Sequence, residues 1–292
     1  MTIKYILLTA ALIAALLNIG VTNTVSAAEG ESIVMSPASS QLQLNAGETS
    51  KKSFSIINDG TVTLDFKVYA APYSVKNDSY TPDFTSERAN TDIYSWITFS
   101  QKSWKLEPGK TVEIFYEISV PRDAAPGGHY GVIFAETQAN NQDQGQIKRQ
   151  KRVGAIMYGV VNGDYIQAGR EIETVIPSFK IGGVPSAMMT VENTGNAHFV
   201  SKETFRVKNI LGEKVYERTM EHIILPKTTR DIGLVWEKGA NLAWYTVETQ
   251  SVILGKTVSH SGLVFVAPLW FLVIVALVIF GIIYMLWRRF RR

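Results

Sequence analysis

The sequence predicts an all-β protein: two tandem immunoglobulin-like β-sandwich domains followed by one C-terminal transmembrane α-helix. Three observations support this fold class. Apolar and polar residues alternate in many short segments, turns rich in Asn, Gly and Pro separate these segments, and one long uncharged apolar run precedes the C-terminal arginines. Alternation with a period of two is typical of half-buried strands, and an apolar run of about 20 residues is typical of a membrane span.

Residues 1–28 have the pattern of a secretory signal peptide. Lys4 is the charged start, an apolar run follows from Tyr5 to about Ile19, and small residues end at Ala28. Because the run is short for a membrane span, we expect cleavage, with an uncleaved signal anchor as the alternative. Export would place the following domains outside the cytoplasm.

The first sandwich is predicted over residues 29–163. Its clearest strand signal is the alternation of Leu64, Phe66 and Val68 with polar or tyrosine neighbours. Turns such as Asn58-Asp59-Gly60 separate the strands at short spacing, which is the punctuation of a β-sandwich.

The polar stretch 138–150 is either an interdomain linker or a hairpin loop. We favour the loop, because strand-like apolar segments at 130–137 and 153–161 flank it and can pair with each other. The domain boundary then falls near Gly163.

The second sandwich is predicted over residues 164–262, with support from a weak internal repeat. Ser55–Gly60 of the first half has a counterpart in Thr190–Gly195, since each is a strand that ends in an Asn-x-Gly turn. A proline-containing turn follows at a similar distance in both halves. We interpret the pattern as tandem duplication of one sandwich type.

Residues 263–287 contain no charged side chain and predict a transmembrane helix, through which the chain contacts the lipid bilayer. Residues 288–292 form a tail with four arginines, and basic residues beside a span favour the cytoplasmic side. We therefore expect a single-pass protein of the cell membrane with its N-terminal ectodomain outside.

Charge and composition exclude several classes of function. Lys4 and the four tail arginines are five of the 29 basic residues. The segment between the two apolar runs therefore has 24 basic and 26 acidic residues, a net charge of −2. A net negative ectodomain is a poor partner for nucleic acid, and none is expected. The chain has no cysteine, which excludes disulfides and thiolate metal sites.

Motifs of catalysis are absent from the sequence. There is no nucleophile elbow, no glycine-rich phosphate loop and no pair of histidines at metal-ligand spacing. We expect neither an enzyme nor a cofactor or metal.

Candidate binding residues come from two segments. Residues 72–95 form a long polar excursion with more aromatic rings than a solvated loop needs, and residues 126–134 begin with a glycine-rich turn. The five candidates are Tyr73, Tyr80, Phe84, Tyr94 and His129. Exposed tyrosines on a rigid scaffold often form interfaces. For residues 72–95 the alternative is that the segment folds its rings onto the sandwich, and both interpretations stay open. For the glycine-rich turn the alternative is that it enters a strand whose Tyr130, Val132 and Phe134 fill the core, and we favour this alternative.

Leu225–Thr229 is similar to the Leu-Pro-x-Thr-Gly signal for sortase attachment to the cell wall. Thr229 replaces the required glycine, and strand-like sequence separates the segment from the apolar run. We therefore interpret it as a turn that enters a strand, and the helix as a permanent anchor.

The first domain resembles the bacterial WxL-interacting protein family over residues 40–162. The resemblance is carried by these segments: Leu44–Glu48, Phe54–Asn58, Trp104–Lys110, Val120-Pro121 and, most specifically, Gly127–Glu136. Members of that family have a signal peptide, two immunoglobulin-like domains, one membrane helix and a basic tail. The resemblance implies a first domain that binds peptidoglycan and a second that binds host or partner surface proteins.

Two hypotheses of function follow. The first is a non-catalytic, membrane-anchored binding protein of the cell surface, whose partners are peptidoglycan or cell-surface proteins. The alternative is a membrane-tethered assembly chaperone or an accessory subunit of an envelope complex. Fold analogy alone does not decide between them.

Overall fold

The computed structural model describes residues 30–88, 90–138, 150–236 and 241–291. The predicted signal peptide lies outside these residues, as does most of the polar stretch 138–150. The described chain is built of β-strands with one apolar helix at its C-terminal end. The predicted fold class is therefore confirmed.

The first sandwich is formed by strands β1 to β11 and one 3₁₀ turn at Ile93–Trp96. The strands are β1 Ile33–Ser36, β2 Ser39–Leu44, β3 Thr49–Asn58, β4 Leu64–Pro72, β5 Ser74–Lys76, β6 Thr81–Asp83, β7 Ile97–Phe99, β8 Ser103–Leu106, β9 Thr111–Ser119, β10 Gly127–Thr137 and β11 Arg152–Val161. One sheet has the order β1-β3-β9-β7, the other has the order β2-β11-β10-β4-β8, and β5 and β6 form a separate hairpin.

The core of this sandwich lies between its two sheets, where the predicted alternation is observed. Leu64, Phe66 and Val68 of β4 point inward and are each about 1% exposed, while Asp65 and Lys67 point outward. The flanks of the polar stretch also behave as predicted, because β10 and β11 pair antiparallel from Gly127 to Glu136.

Strand β10 is buried on both of its faces. Ile133 and Ala135 fill the core of the first sandwich, whereas Tyr130, Val132 and Phe134 join a different apolar cluster. The expectation that these three residues fill the sandwich core is therefore corrected. They are buried as predicted, but on the outer face of the sheet, against the second sandwich and the β5–β6 hairpin.

The second sandwich is formed by strands β12 to β19. They are β12 Gly169–Val175, β13 Phe179–Ile181, β14 Ser186–Asn193, β15 Phe199–Lys208, β16 Lys214–Ile224, β17 Thr228–Val235, β18 Ala243–Ile253 and β19 Lys256–Ala267. One sheet has the order β12-β14-β17 and the other has the order β13-β19-β18-β15-β16. The strands of the two sandwiches thus end at Val161 and begin again at Gly169, on either side of the boundary expected near Gly163.

The internal repeat extends to the hydrogen bonds of one buried asparagine in each sandwich. The Asn58 side-chain amide donates to the carbonyls of Val62 and Leu106, both at 2.9 Å, and its oxygen accepts from the Gly60 N–H at 3.0 Å.

The same corner recurs in the second sandwich. The Asn193 amide donates to the carbonyls of Ala197 and Ile224 at 2.9 and 2.8 Å, and its oxygen accepts from the Gly195 N–H at 2.9 Å. In each sandwich the asparagine thus connects its own turn to the residue that precedes the proline-containing turn, which is Leu106 in the first sandwich and Ile224 in the second. The repeat is thus a shared structural device as well as a sequence pattern.

Replacement of either asparagine by alanine is expected to destabilise its own sandwich by about 2–4 kcal/mol. Each substitution removes three hydrogen bonds, and one such bond contributes about 0.5–1.5 kcal/mol net. All three are buried at Asn193, whereas at Asn58 the bond to Leu106 is buried and the other two are part-buried. Urea unfolding of Asn58→Ala and Asn193→Ala measures the effect. The exposed control Ser79→Ala should change the free energy of unfolding by less than about 0.5 kcal/mol, and equal stability of all three variants would refute the role of the corner.

The C-terminal helix α1 spans Leu269–Phe290, so it begins six residues later than the predicted span 263–287. Leu263–Ala267 belong instead to β19, whose Val264 and Val266 are fully buried in the second sandwich. An uncharged apolar run does not distinguish a strand from the helix that follows it, which explains the difference. Among the described residues, α1 is the one helix long and apolar enough to cross a bilayer.

Candidate binding site between the two sandwiches

The two sandwiches are joined by an apolar cluster on the outer face of the β2-β11-β10-β4-β8 sheet. Its buried members are Tyr73, Val75, Tyr130, Val132, Phe134, Tyr158 and Leu225. Only Leu225 comes from the second sandwich, where the half-buried Ile223 lies beside it. The cluster therefore docks the turn between β16 and β17 onto the first sandwich.

The segment that is similar to a sortase signal lies in this interface. Leu225 is buried in the cluster, and Thr228 begins β17, where it pairs with Asn193. The interpretation of Leu225–Thr229 as a turn that enters a strand is confirmed.

Tyr130 connects the two domains by hydrogen bonds as well as by burial. Its hydroxyl accepts from the backbone N–H of His198 at 3.0 Å and lies 3.2 Å from His198 Nδ1. The rings of Tyr130 and Tyr158 both contact the imidazole, with centroids 5.7 and 5.6 Å away. Burial lowers the pKa of His198 to about 4, so the imidazole is neutral at physiological pH.

Tyr80, at the end of the β5–β6 turn region, makes a second set of interdomain contacts. Its hydroxyl accepts from the Leu225 N–H at 2.7 Å and lies 2.5 Å from the Thr228 hydroxyl. The Arg230 guanidinium lies 4.4 Å from the ring centroid, in cation–π geometry. Burial raises the pKa of Tyr80, so the phenol stays protonated and keeps these contacts.

The glycine-rich start of β10 is also an interdomain contact. Gly128 N–H donates to the Asn196 carbonyl at 2.8 Å. Gly127 has φ +124, and a Cβ atom placed on it would fall 2.8 Å from the same carbonyl oxygen. Glycine is needed here because the second sandwich approaches the backbone too closely for a side chain.

His129 points into the first sandwich, where it is 4% exposed. Its Nδ1 lies 2.6 Å from the Asp92 carboxylate and its Nε2 lies 2.8 Å from the Ala125 carbonyl. Burial alone would lower the pKa of His129, but these two hydrogen bonds outweigh it and raise the pKa. The imidazole packs against the Trp96 ring, with the centroids 4.7 Å apart and the planes tilted by 45°. It fixes the loop before β10 to the 3₁₀ turn.

The five residues predicted to bind a ligand do not form one exposed patch. Tyr73 and Phe84 contact each other in the interdomain cluster, and Tyr80 bridges to the second sandwich. Tyr94 is half-buried, and its hydroxyl donates to Glu87 at 3.1 Å. Three of the five therefore lie at the contact between the domains, while ligand binding by any of them stays a prediction.

A groove of about 360 Å³ runs beside this interface. Gln41 and Gln43 of β2 line one wall, and the other wall carries Gln167, Lys202 and Leu254. These residues are not recognisable from the sequence, because amides that alternate with apolar residues on a strand have the pattern of an ordinary solvated face.

The strand that lines the groove is an edge strand. Among the described residues β2 pairs only with β11, in parallel. The carbonyls of Ala38 and Leu44 accept from β11, so the backbone groups of the odd-numbered residues between them face away from the sheet. The groove thus combines side-chain amides with an open row of backbone donors and acceptors.

The described residues contain no group of three or more His, Asp or Glu side chains placed to hold a metal ion. The groove between the domains can bind a ligand by hydrogen bonding and by shape complementarity. Together, fold and interface define a class: an all-β protein of two docked immunoglobulin-like sandwiches with one terminal apolar helix.

No family model matches the sequence, and no curated protein matches it. Solved structures that resemble the chain include the class 5 fimbriae chaperone CfaA, at 10% identity and a TM-score of 0.41, covering 80% of this chain and 99% of that chain. The E. coli chaperone DraB gives 10% identity and a TM-score of 0.39, covering 80% and 98%. The CsuC–CsuE chaperone–tip adhesion subunit complex of Acinetobacter baumannii gives 9% and 0.39, covering 81% and 99%. Values of this size establish neither a shared function nor a shared partner.

Proposed function

We propose that the chain is a non-catalytic protein of the bacterial envelope, tethered to the membrane by α1, that binds an extended segment of a partner protein in the groove between its sandwiches. The observation that carries this proposal is the open edge of β2 beside a docked interdomain groove. An unpaired strand edge is a template for strand addition, in which main-chain hydrogen bonds supply affinity and neighbouring side chains supply selectivity.

The docking of the two sandwiches supports the proposal. Both walls of the groove are held in place by the Tyr130–His198 and Tyr80–Leu225 contacts. A preformed groove loses little conformational entropy when a ligand binds, so a short segment can be held with useful affinity.

Two roles are compatible with such a groove. A lasting complex corresponds to a cell-surface binding protein, which is the role that the resemblance to the WxL-interacting family implies. A transient complex corresponds to a membrane-tethered assembly chaperone, and the exposed edge of β2 favours this role because a strand edge can complete an unfinished sheet in a secreted subunit.

A photocrosslinking amino acid at Gln43 is expected to capture a discrete protein partner in intact cells. The control position is Val62, which is exposed in a turn of the first sandwich, away from the groove. We expect a covalent product from Gln43 and none from Val62. A product seen in pulse-labelled cells but not at steady state identifies the chaperone role. A product that is still present at steady state identifies a lasting complex. The same products from both positions would refute binding in the groove.

The edge itself is tested by Gln41→Pro against Gln41→Ala in the crosslinking strain. Proline removes an N–H that faces away from β11, so the sheet is expected to tolerate it as edge strands do. The proline variant should lose most of the crosslinked product and the alanine variant should keep most of it. Equal loss in both variants would assign binding to the side chain instead of the strand edge.

Peptidoglycan binding, which the family resemblance implies for the first domain, is tested separately. The full chain in detergent is mixed with purified cell-wall sacculi and centrifuged. Sedimentation with the sacculi supports wall binding, and recovery wholly in the supernatant refutes it.

A further inference from the structure

The end of the second sandwich next to α1 carries a row of apolar side chains, of which Phe179, Ile181 and Trp244 are exposed and Phe265 is half-buried. Trp244 of β18 pairs with Phe265 of β19, which pairs with Phe179 of β13. Their rings are in contact, with centroids 4.9 Å apart for Trp244 and Phe265 and 5.7 Å apart for Phe179 and Phe265. Because Tyr245, Val264 and Val266 fill the core, these rings lie on the outer face of the sheet.

The hairpin between β15 and β16 extends the row across the same sheet. Lys208, the last residue of β15, pairs with Thr246, so the turn that follows lies level with Trp244. At its tip Ile210 and Leu211 are 74% and 78% exposed.

The turn is held in a fixed shape by Asn209. Its side-chain oxygen accepts from the N–H groups of Leu211 and Glu213 at 3.0 and 2.9 Å, and its amide donates to the Glu213 carboxylate at 2.8 Å. The two apolar side chains therefore project from a hydrogen-bonded turn. Exposure of their apolar surface to water is unfavourable.

The connection to α1 places this row near the bilayer. Only Pro268 separates the end of β19 from the first helical residue, Leu269. The Gly182 N–H donates to the Ala267 carbonyl at 2.9 Å, and a Cβ atom placed on Gly182 would fall 2.9 Å from Leu269 Cγ. The sandwich is thus joined to the helix without a flexible linker. At about 3.3 Å per strand residue, Phe265 lies within roughly 13 Å of the start of the helix.

We propose that these six residues, Phe179, Ile181, Ile210, Leu211, Trp244 and Phe265, form a membrane rim that inserts into the lipid headgroup layer of the outer leaflet and fixes the tilt of the ectodomain. Aromatic rings favour the membrane interface. A contiguous exposed apolar patch marks a surface that contacts a membrane or another protein. The proposal rests on the membrane anchoring by α1 that the proposed function includes.

The test uses the absence of cysteine from the chain. Single variants Leu211→Cys and Ile210→Cys of the full chain are labelled with an environment-sensitive fluorophore and reconstituted into phosphatidylcholine–phosphatidylglycerol vesicles. We expect a blue shift of the emission and quenching by brominated lipid. Val62→Cys in the first sandwich is the matched exposed control and should show neither change.

A third label separates failure of the rim from failure of the anchor. Phe280→Cys lies within α1 and should be quenched by brominated lipid. Quenching at Phe280 without quenching at Leu211 and Ile210 overturns the rim and leaves the anchor intact, whereas no quenching at Phe280 overturns both. A blue shift at Leu211 that brominated lipid does not quench indicates contact with protein, and it also overturns the proposal.

Discussion

Lowering the pH from 7 to 4 is expected to reduce the free energy of unfolding by about 3 kcal/mol through His198 alone. The pKa of this histidine is about 4 in the folded chain and 6.5 as its ordinary value. A base with a lowered folded pKa binds its proton more readily when unfolded, so its contribution is complete above pH 6.5 and is lost as the pH falls toward 4. A protonated Nδ1 also cannot accept a hydrogen bond from the Tyr130 hydroxyl.

The measurement is urea unfolding of the full chain in detergent, compared with His198→Phe at each pH. Phenylalanine keeps ring contacts with Tyr130 and Tyr158 but does not titrate, so the difference between the two proteins isolates the histidine. His129 gives the opposite sign, because its raised pKa adds stability that is complete below pH 6.5 and is lost at higher pH. A difference between wild type and His198→Phe that is constant from pH 7 to pH 4 would contradict the prediction.

Removal of His222 is expected to lower the free energy of unfolding by about 3 kcal/mol. The Glu203 side chain is fully buried in the second sandwich, and its Oε2 lies 2.7 Å from His222 Nδ1. In the described structure its other oxygen has no hydrogen-bond partner. His222→Ala therefore leaves a buried carboxyl group without the one side-chain hydrogen bond that the described residues give it. Removing a single partner is the costly way to break such a pair.

A double variant and a second histidine make this result specific. Glu203→Leu combined with His222→Ala should recover most of the lost stability, because an apolar side chain of similar size has no polar atom to leave unpaired. His260→Ala should cost about 1 kcal/mol, since its partner Glu171 keeps hydrogen bonds from Thr174 and Ser251 at 2.6 and 2.5 Å. A double variant as unstable as His222→Ala would show that the pair is not the cause.

Local patterns were sufficient to predict the two sandwiches. The alternation around Leu64 and the Asn-x-Gly turns at Asn58 and Asn193 are set by neighbours within a few residues, and such signals survive in the folded protein. The start of α1 was not predictable in the same way. Residues 263–266 alternate between the outer face and the core, but all four are apolar, because Leu263 and Phe265 on the outer face are apolar too.

The interface between the sandwiches was only partly predictable. The aromatic excess of residues 72–95 left two interpretations open, an exposed binding surface or rings folded onto the sandwich. Tyr73 is buried in the interdomain cluster and Tyr80 contacts the second half of the same chain, which is closer to the second interpretation. Nothing local indicates that the outer face of β10 is covered, since burial there depends on residues of the second sandwich such as His198, which is 68 positions from Tyr130. The groove residues Gln41 and Gln43 gave no signal, because their function would depend on the open edge of β2.

The direct joint at Pro268 has a mechanical consequence. If α1 is held in a bilayer, as proposed, a pull on the first sandwich is transmitted through Pro268 to β19. β19 is paired with β18 from Lys256 to Val266 and with β13 from Phe265 to Ala267, so these hydrogen bonds are loaded side by side in shear. We expect them to break nearly together instead of one after another, which would make the attachment of the two sandwiches to α1 resistant to force in a chain that has no disulfide to bear the load.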